Sequence, residues 1–345
     1  MIQPRVLHLV DDTTAGGVMR VVDFIQSAQS MAKVASHRVH PVERGKFWRL
    51  GTRADVIVSH TALSWRSLPA IIALRLMHPR TPVVHVEHSY TEGFVAHNVT
   101  RKKRFATLLR VAFSLFDRVV AVSEAQAKWF KTQGFCKATR CLTIQSCVDL
   151  QAFRNLPAAT RPTRIFAAIG RLDPQKGFDT LIDAFQEVKD PNIRLHIIGT
   201  GAEHDRLVAL AKPDTRIIFR GMLPDPVKAL SEVDAVLMPS RWEAYGLVAI
   251  EALAAGRPLV CHAVDGMHDH EALGARLIPE HVPTALSIAI EDLTTSTDDK
   301  CDTRLCRVTT TLEDRFARRW NALLLDLLPK QKASSAARLL SRAQS

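Results

Sequence analysis

The sequence predicts an α/β protein made of two parallel-sheet, Rossmann-like domains. Three observations carry this. Short apolar runs alternate with helix-patterned runs through most of the chain. The alternation breaks at a Pro-, Ala- and Thr-rich interval, LPAATRPTR over 156–164, and restarts at Ile165. Finally, 345 residues is long for one hydrophobic core. Apolar strands separated by helices belong to a sheet covered on both faces. The expected division is a first domain over 1–155, a second over 156–311, a final helix over 312–329 and a frayed tail over 330–345.

With 47% hydrophobic and 23% charged residues the composition is that of a soluble globular protein. The start, MIQPRVLHLVDD, turns polar after a short apolar run, and no uncharged apolar stretch reaches the roughly 18 residues of a membrane span, so a cytoplasmic location is expected. Six cysteines without a C-x-x-C pair read as buried or incidental thiols; a zinc site from Cys136, Cys141, Cys301 and Cys306 is the less favoured alternative. The net charge of +11 is uneven: residues 1–155 hold 22 Lys and Arg against 10 Asp and Glu, the remainder 24 against 25. The first half is thus suited to an acidic surface or acceptor. Nucleic acid is disfavoured as that partner, because 6% aromatic residues offers little stacking surface.

In chain order, the strand RVLHLV (5–10) leads into a loop ending in Gly16–Gly17 ahead of a helical stretch at 18–28. A glycine pair there either lets backbone approach a ligand or serves a tight turn. Strands are expected at 37–42, 55–59, 82–86, 118–122 and 141–145, and helices at 67–77, 100–116 and 124–133, the last capped by Ser123. His88 falls at the C-terminal end of its strand, where open parallel sheets place ligands, and is either a site residue or a hydrogen-bonded structural histidine. The helix at 100–116 opens with Arg101, Lys102, Lys103 and Arg104, a possible contact for lipid headgroups or a diphosphate-linked acceptor, or simply a solvated helix end.

The second half repeats the pattern. A strand at 165–170 delivers Gly170, Arg171 and Lys176 to a loop that could neutralise a diphosphate. Strands at 194–199, 216–221 and 235–239 alternate with helices at 202–211 and 224–232. The segment MPSRWEAYGLVAIEALAAGR (238–257) follows. Its helix is apolar all round except for Glu251, and a buried carboxylate is costly unless paired with a protein group or a ligand. Glu243 precedes the helix, while Tyr245, Gly246, Leu247 and Val248 would present backbone N–H groups to an anion at the helix N-terminus. Such a cradle between two carboxylates suits a ligand bearing phosphates and hydroxyls. After a strand at 258–262, residues 264–271, with His268 and His270, read as a polar loop, a metal site with His262 being the less favoured alternative; 282–293 reads as a helix and 312–328 as the final helix.

The spacing of Glu243 and Glu251 around Gly246 resembles the E-x7-E motif of retaining glycosyltransferase family 4 (glycosyl transferases group 1), and IGRLDPQKGFDTLIDAF (169–185) resembles that family's phosphate-binding motif. The resemblance covers most of 1–328. It departs at Gln145–Asp149, where family members commonly carry Asn-Gly before Val-Asp. It implies the GT-B fold, two Rossmann-like domains facing each other across a cleft, with the final helix packing back toward the first domain. It implies a nucleoside-diphosphate sugar donor and neither metal nor cofactor. Arg171, Lys176 and the amides of Gly246–Val248 would hold the diphosphate, Glu243 the sugar hydroxyls and Glu251 the ribose hydroxyls, with Gly170, Tyr245, Gly16 and Gly17 completing the donor site. A glycan or lipid-linked acceptor would enter near His88 and the Gly16–Gly17 loop. A nucleotide-sugar epimerase and a catalytically silent binding protein stand as the alternatives.

Overall fold

The structure, a computed structural model, describes residues 3–14, 16–48, 50, 53–160, 162–279, 282–296, 311–329 and 332–333. The chain divides into two compact units, one of 1–149 with 312–345 and one of 150–311.

The first unit is built on a six-stranded parallel sheet ordered β2-β1-β3-β4-β5-β6: β1 Arg5–Val10, β2 Ser36–Pro41, β3 Val56–Ser59, β4 Val83–Glu87, β5 Arg118–Ala121 and β6 Cys141–Thr143. Its core gathers Leu9 and Ile57 from the strands with Phe113 and Phe130 from the covering helices and Phe116 from the turn before β5. Ser123 caps the helix Glu124–Thr132 by accepting from the Gln126 amide at 3.2 Å. The basic helix is shorter than its sequence pattern, at Lys102–Ser114, and a separate helix, Glu92–Asn98, precedes it. The final helix, Leu312–Leu327, belongs to this unit: Phe316 packs on Phe24, the edge of Trp320 meets His8, and Arg319 donates to the Thr143 carbonyl at 3.1 Å.

The second unit carries a parallel sheet ordered β12-β11-β10-β7-β8-β9: β7 Ile165–Ile169, β8 Arg194–Ile198, β9 Ile217–Gly221, β10 Ala235–Met238, β11 Leu259–His262 and β12 Arg276–Ile278. Phe166, Leu181, Phe185 and Leu237 are central to its core. The chain enters this unit at Leu150, earlier than the Pro-rich interval, because Leu150 and Phe153 are buried and the Asp234 carboxylate accepts from the amides of Thr160, Arg164 and Ile165. The supposed polar loop after β11 is instead a 3₁₀ stretch, Asp265–Leu273, with Met267, His270 and Leu273 buried. The three-residue β12 has too few residues to show a period in sequence. No helix among the described residues is long and apolar enough to cross a membrane.

Candidate active site

In the second sheet β7 and β10 are neighbours, yet the chain leaves β7 toward β8 on one side and β10 toward β11 on the other. Loops leaving their C-terminal ends diverge, which opens a crevice where parallel sheets bind ligands. The loop after β7 carries Gly170, Arg171 and Lys176; the loop after β10 carries Glu243 and Gly246.

These loops are tied together by backbone. Gly177 is left-handed (φ 63°), and a Cβ there would lie 2.1 Å from the Pro239 carbonyl oxygen, so only glycine allows the approach. The Arg241 amide donates to the Gln175 carbonyl at 2.8 Å, and Gln175 Nε2 donates to the Trp242 carbonyl at 3.0 Å. The Arg241 guanidinium bonds the Pro174 carbonyl at 2.6 Å and both oxygens of Asp179 at 2.8 and 2.9 Å.

Across this joint Lys176 Nζ pairs with Glu243 Oε2, to which Ser240 Oγ donates at 3.4 Å. The two side chains are only 15% and 12% exposed, so their attraction exceeds that of a surface pair. The Glu243 backbone is held from both directions, its amide donating to the Asp265 carboxylate at 3.3 Å and its carbonyl accepting from the Gly266 amide at 3.0 Å. Asp265 adopts a left-handed conformation (φ 37°) uncommon for a residue with a Cβ.

Gly246 (φ 84°) leads into the helix Leu247–Ala254. The Ala249 amide bonds the Gly246 carbonyl at 3.0 Å, while the amides of Leu247 and Val248, first in the helix, have no intrahelical acceptor. With the helix dipole behind them they favour an anion. A Cβ on Gly246 would sit 3.2 Å from Met238 Cε and Met267 Sδ and 3.3 Å from Glu243 Cγ. Tyr245 is buried and its carbonyl accepts from His270 Nε2 at 2.6 Å; burial holds that imidazole neutral by lowering its pKa.

The structure therefore brings together Lys176, Glu243 and the Gly246–Val248 turn. Arg171 is placed apart, exposed and bonded within its own loop to Asp173 and Gln175. Glu251 lies buried within the helix. Sequence reasoning missed Arg241, Gln175 and Asp265, which position the loops. The Asp265–Gly266 pair was the only local signal, since a turn residue followed by glycine is a common break in helix and strand.

In the first unit His88 ends a chain of four imidazoles that crosses neighbouring strands. His37 Nδ1 meets His8 Nε2 at 3.0 Å, His8 Nδ1 meets His60 Nε2 at 2.9 Å, and His60 Nδ1 meets His88 Nε2 at 2.8 Å. The His8–His60 and His60–His88 ring pairs are stacked. Burial lowers the pKa of all four, His37 and His88 to about 4, the neighbouring His85 also lowering His88 while Glu87 opposes it. A neutral imidazole has one N–H and one lone pair, so all three bonds must point the same way, and His88 Nδ1 ends the chain either as a donor or as a bare acceptor. The turn bearing His88 is shaped by Glu87, whose Oε1 accepts from the amides of Ser89 and Tyr90 at 2.8 and 3.0 Å. Gly16 is extended, a Cβ there would lie 3.8 Å from the Thr14 carbonyl oxygen, and Gly17 opens the helix Gly17–Ser27. Arg101, Lys102, Lys103 and Arg104 are all exposed. Cys136 and Cys141 are buried, whereas Cys301 and Cys306 lie outside the described residues.

The chain is similar to known proteins in both halves. Residues 18–152 match Glycosyltransferase Family 4 and residues 163–296 match Glycosyl transferases group 1. A Klebsiella pneumoniae protein described as an uncharacterized 41.2 kDa protein in the cps region is 25% identical over 300 residues, covering 75% of this chain and 81% of the relative. The phosphatidyl-myo-inositol mannosyltransferase of Mycobacterium tuberculosis is 26% identical over 272 residues, 75% of this chain and 69% of the relative. Anabaena HepE, crystallised with UDP, shares the fold with a TM-score of 0.70 at 18% identity, over 94% of this chain and 100% of that one. With both halves matched in sequence and the two-sheet architecture shared, the chain belongs to the family 4, group 1 glycosyltransferases.

Proposed function

We propose that this glycosyltransferase takes its sugar from a nucleoside-diphosphate sugar held by the second unit and passes it, with retention at the anomeric carbon, to a hydroxyl of a glycan or lipid-linked acceptor admitted beside His88. The observation that carries the reading is the Lys176–Glu243 pair beside the amides of Leu247 and Val248, at the point where the sheet's connections diverge. Without ligand the two side chains neutralise each other. An arriving diphosphate draws Lys176 to its oxygens, and Glu243 is released to accept hydrogen bonds from sugar hydroxyls.

Lys176, the helix amides and Arg171, once it swings from its own loop, stabilise charge growing on the departing diphosphate, so the step needs neither metal nor cofactor. Glu251 is assigned to the ribose hydroxyls and is reached after a local shift, being buried in the free protein. The bond from C1 to the phosphate oxygen breaks as C1 bonds the acceptor oxygen on the same face, and the acceptor proton passes to the leaving phosphate. HepE was crystallised with UDP, which supports this donor class; the mannosyltransferase acting on phosphatidyl-myo-inositol and the cps-region relative support a role in envelope polysaccharide or glycolipid synthesis.

A thermal-shift panel of nucleoside diphosphates and their sugars tests the reading. One nucleotide should stabilise the wild type, and Lys176→Met should lose the shift. Stabilisation by none, or donor consumed and isomerised with no acceptor present, would overturn it.

A further inference from the structure

The helix Leu68–Met77, LPAIIALRLM, carries a single charge, Arg75, and a helix so uniformly apolar is ordinarily buried on all sides. Here Leu68, Ala70, Ile71 and Leu74 enter the core of the first unit, while Pro69, Ile72 and Leu76 face outward at spacings of three and four residues. Leu76 is 75% exposed and Phe47 69%. Together with Trp65 and Ala73 these residues line a shallow apolar hollow of about 500 Å³.

A basic border adjoins it. The Arg104 guanidinium lies over the Trp65 ring, 5.5 Å from its centre, which puts the exposed run Arg101, Lys102, Lys103 and Arg104 beside the apolar face. The excess positive charge of the protein lies in this same half of the chain. The face also borders the sheet edge bearing His88, since the Tyr90 hydroxyl, two residues on, donates to the Leu63 carbonyl at 2.6 Å, two residues before Trp65.

We propose that this face docks on an anionic lipid bilayer, with Phe47, Trp65, Ile72 and Leu76 at the boundary of headgroups and acyl chains and Arg101–Arg104 on the headgroup phosphates. Apolar burial and attraction to anionic lipid add in such a geometry, and tryptophan favours the interface. A second copy of the chain is a poorer occupant: a two-fold interface there would set each basic run against a like-charged surface. Docking explains how a lipid-linked acceptor could reach His88, and that part alone rests on the proposed function.

The test is co-sedimentation of the full chain with vesicles of phosphatidylglycerol and phosphatidylcholine, against vesicles of phosphatidylcholine alone. Anionic vesicles should pellet the protein, and added salt should release it. Leu76→Glu combined with Phe47→Glu should lower partition by on the order of tenfold or more. Arg101→Gln and Lys103→Gln should each lower it by about fivefold. All four side chains are exposed, so the thermal midpoint should hold. Failure to pellet, indifference to lipid charge, or variants that pellet like the wild type would overturn the proposal. So would a concentration-dependent dimer abolished by Leu76→Glu without vesicle binding, which would make this face an interface between copies. Nucleotide binding separates the two readings: its absence in a protein that still pellets defeats the donor assignment alone.

Discussion

Gly246→Ala probes the donor cradle at its narrowest point. The left-handed conformation at φ 84° costs a residue with a Cβ about 1–2 kcal/mol. Two of the three atoms closest to the new methyl, Met238 Cε and Met267 Sδ at 3.2 Å, belong to flexible thioether side chains that can yield. The third, Glu243 Cγ at 3.3 Å, can move only by disturbing the pair with Lys176. A loss of about 2 kcal/mol should lower the melting transition of the second unit by roughly 4–8 °C. The larger effect should fall on nucleotide binding, because the displaced turn carries the Leu247 and Val248 amides. Losing one charge-assisted hydrogen bond, about 2–3 kcal/mol, weakens binding roughly 30-fold to 150-fold. Gly134→Ala is the matched control, since Gly134 has φ 63°, an added methyl there would meet nothing within 4 Å, and it bears the same strain in the first unit. Calorimetric titration with a nucleoside diphosphate decides. Wild-type affinity in Gly246→Ala, alongside stability losses alike in both variants, would refute the assignment of the cradle.

Three further outcomes follow from the geometry. Glu243→Gln should cut kcat by a hundredfold or more while nucleotide affinity holds or improves, since Lys176 no longer has a competing carboxylate; steady-state kinetics beside calorimetry separates the two effects. Acid should destabilise the first unit: buried imidazoles with pKa values lowered from 6.5 to about 4 bind fewer protons than the unfolded chain, so stability present above pH 6.5 is lost as pH falls toward 4. Each full shift is worth at most about 3 kcal/mol, and a urea midpoint flat over that range would contradict it. His8→Phe should break the imidazole chain at its centre, so that nitrogen-15 spectra of His88 and His60 show mixed tautomers and the acceptor KM rises with donor affinity unchanged; unchanged tautomers would leave the chain no role in setting His88.

Much of this architecture was legible in sequence because both sheets are parallel and buried. Runs such as VVA and AVLM declare themselves by being apolar throughout and RVLHLV by being mostly so, and Gly177, Lys176, Glu243 and Gly246 mark the loops by residue type. The pairing of Lys176 with Glu243 was not legible, because 67 residues separate them and strand order, not sequence distance, sets their meeting. Histidines at 8, 37 and 60 gave no signal either. Each looks incidental on or just past its own strand, and only the order β2-β1-β3-β4 aligns them into a file ending at His88. Arg171 illustrates the opposite limit: residue type and loop nominate it, but its guanidinium rests on Asp173 and Gln175, where no periodicity could place it.

The most direct measurement is a calorimetric titration of wild type and Lys176→Met with the nucleoside diphosphate that gives the largest thermal shift. The account predicts saturable binding by the wild type that weakens at least a hundredfold in the variant. Equal affinity in the two proteins would show that the diphosphate is not held where Lys176 meets Glu243.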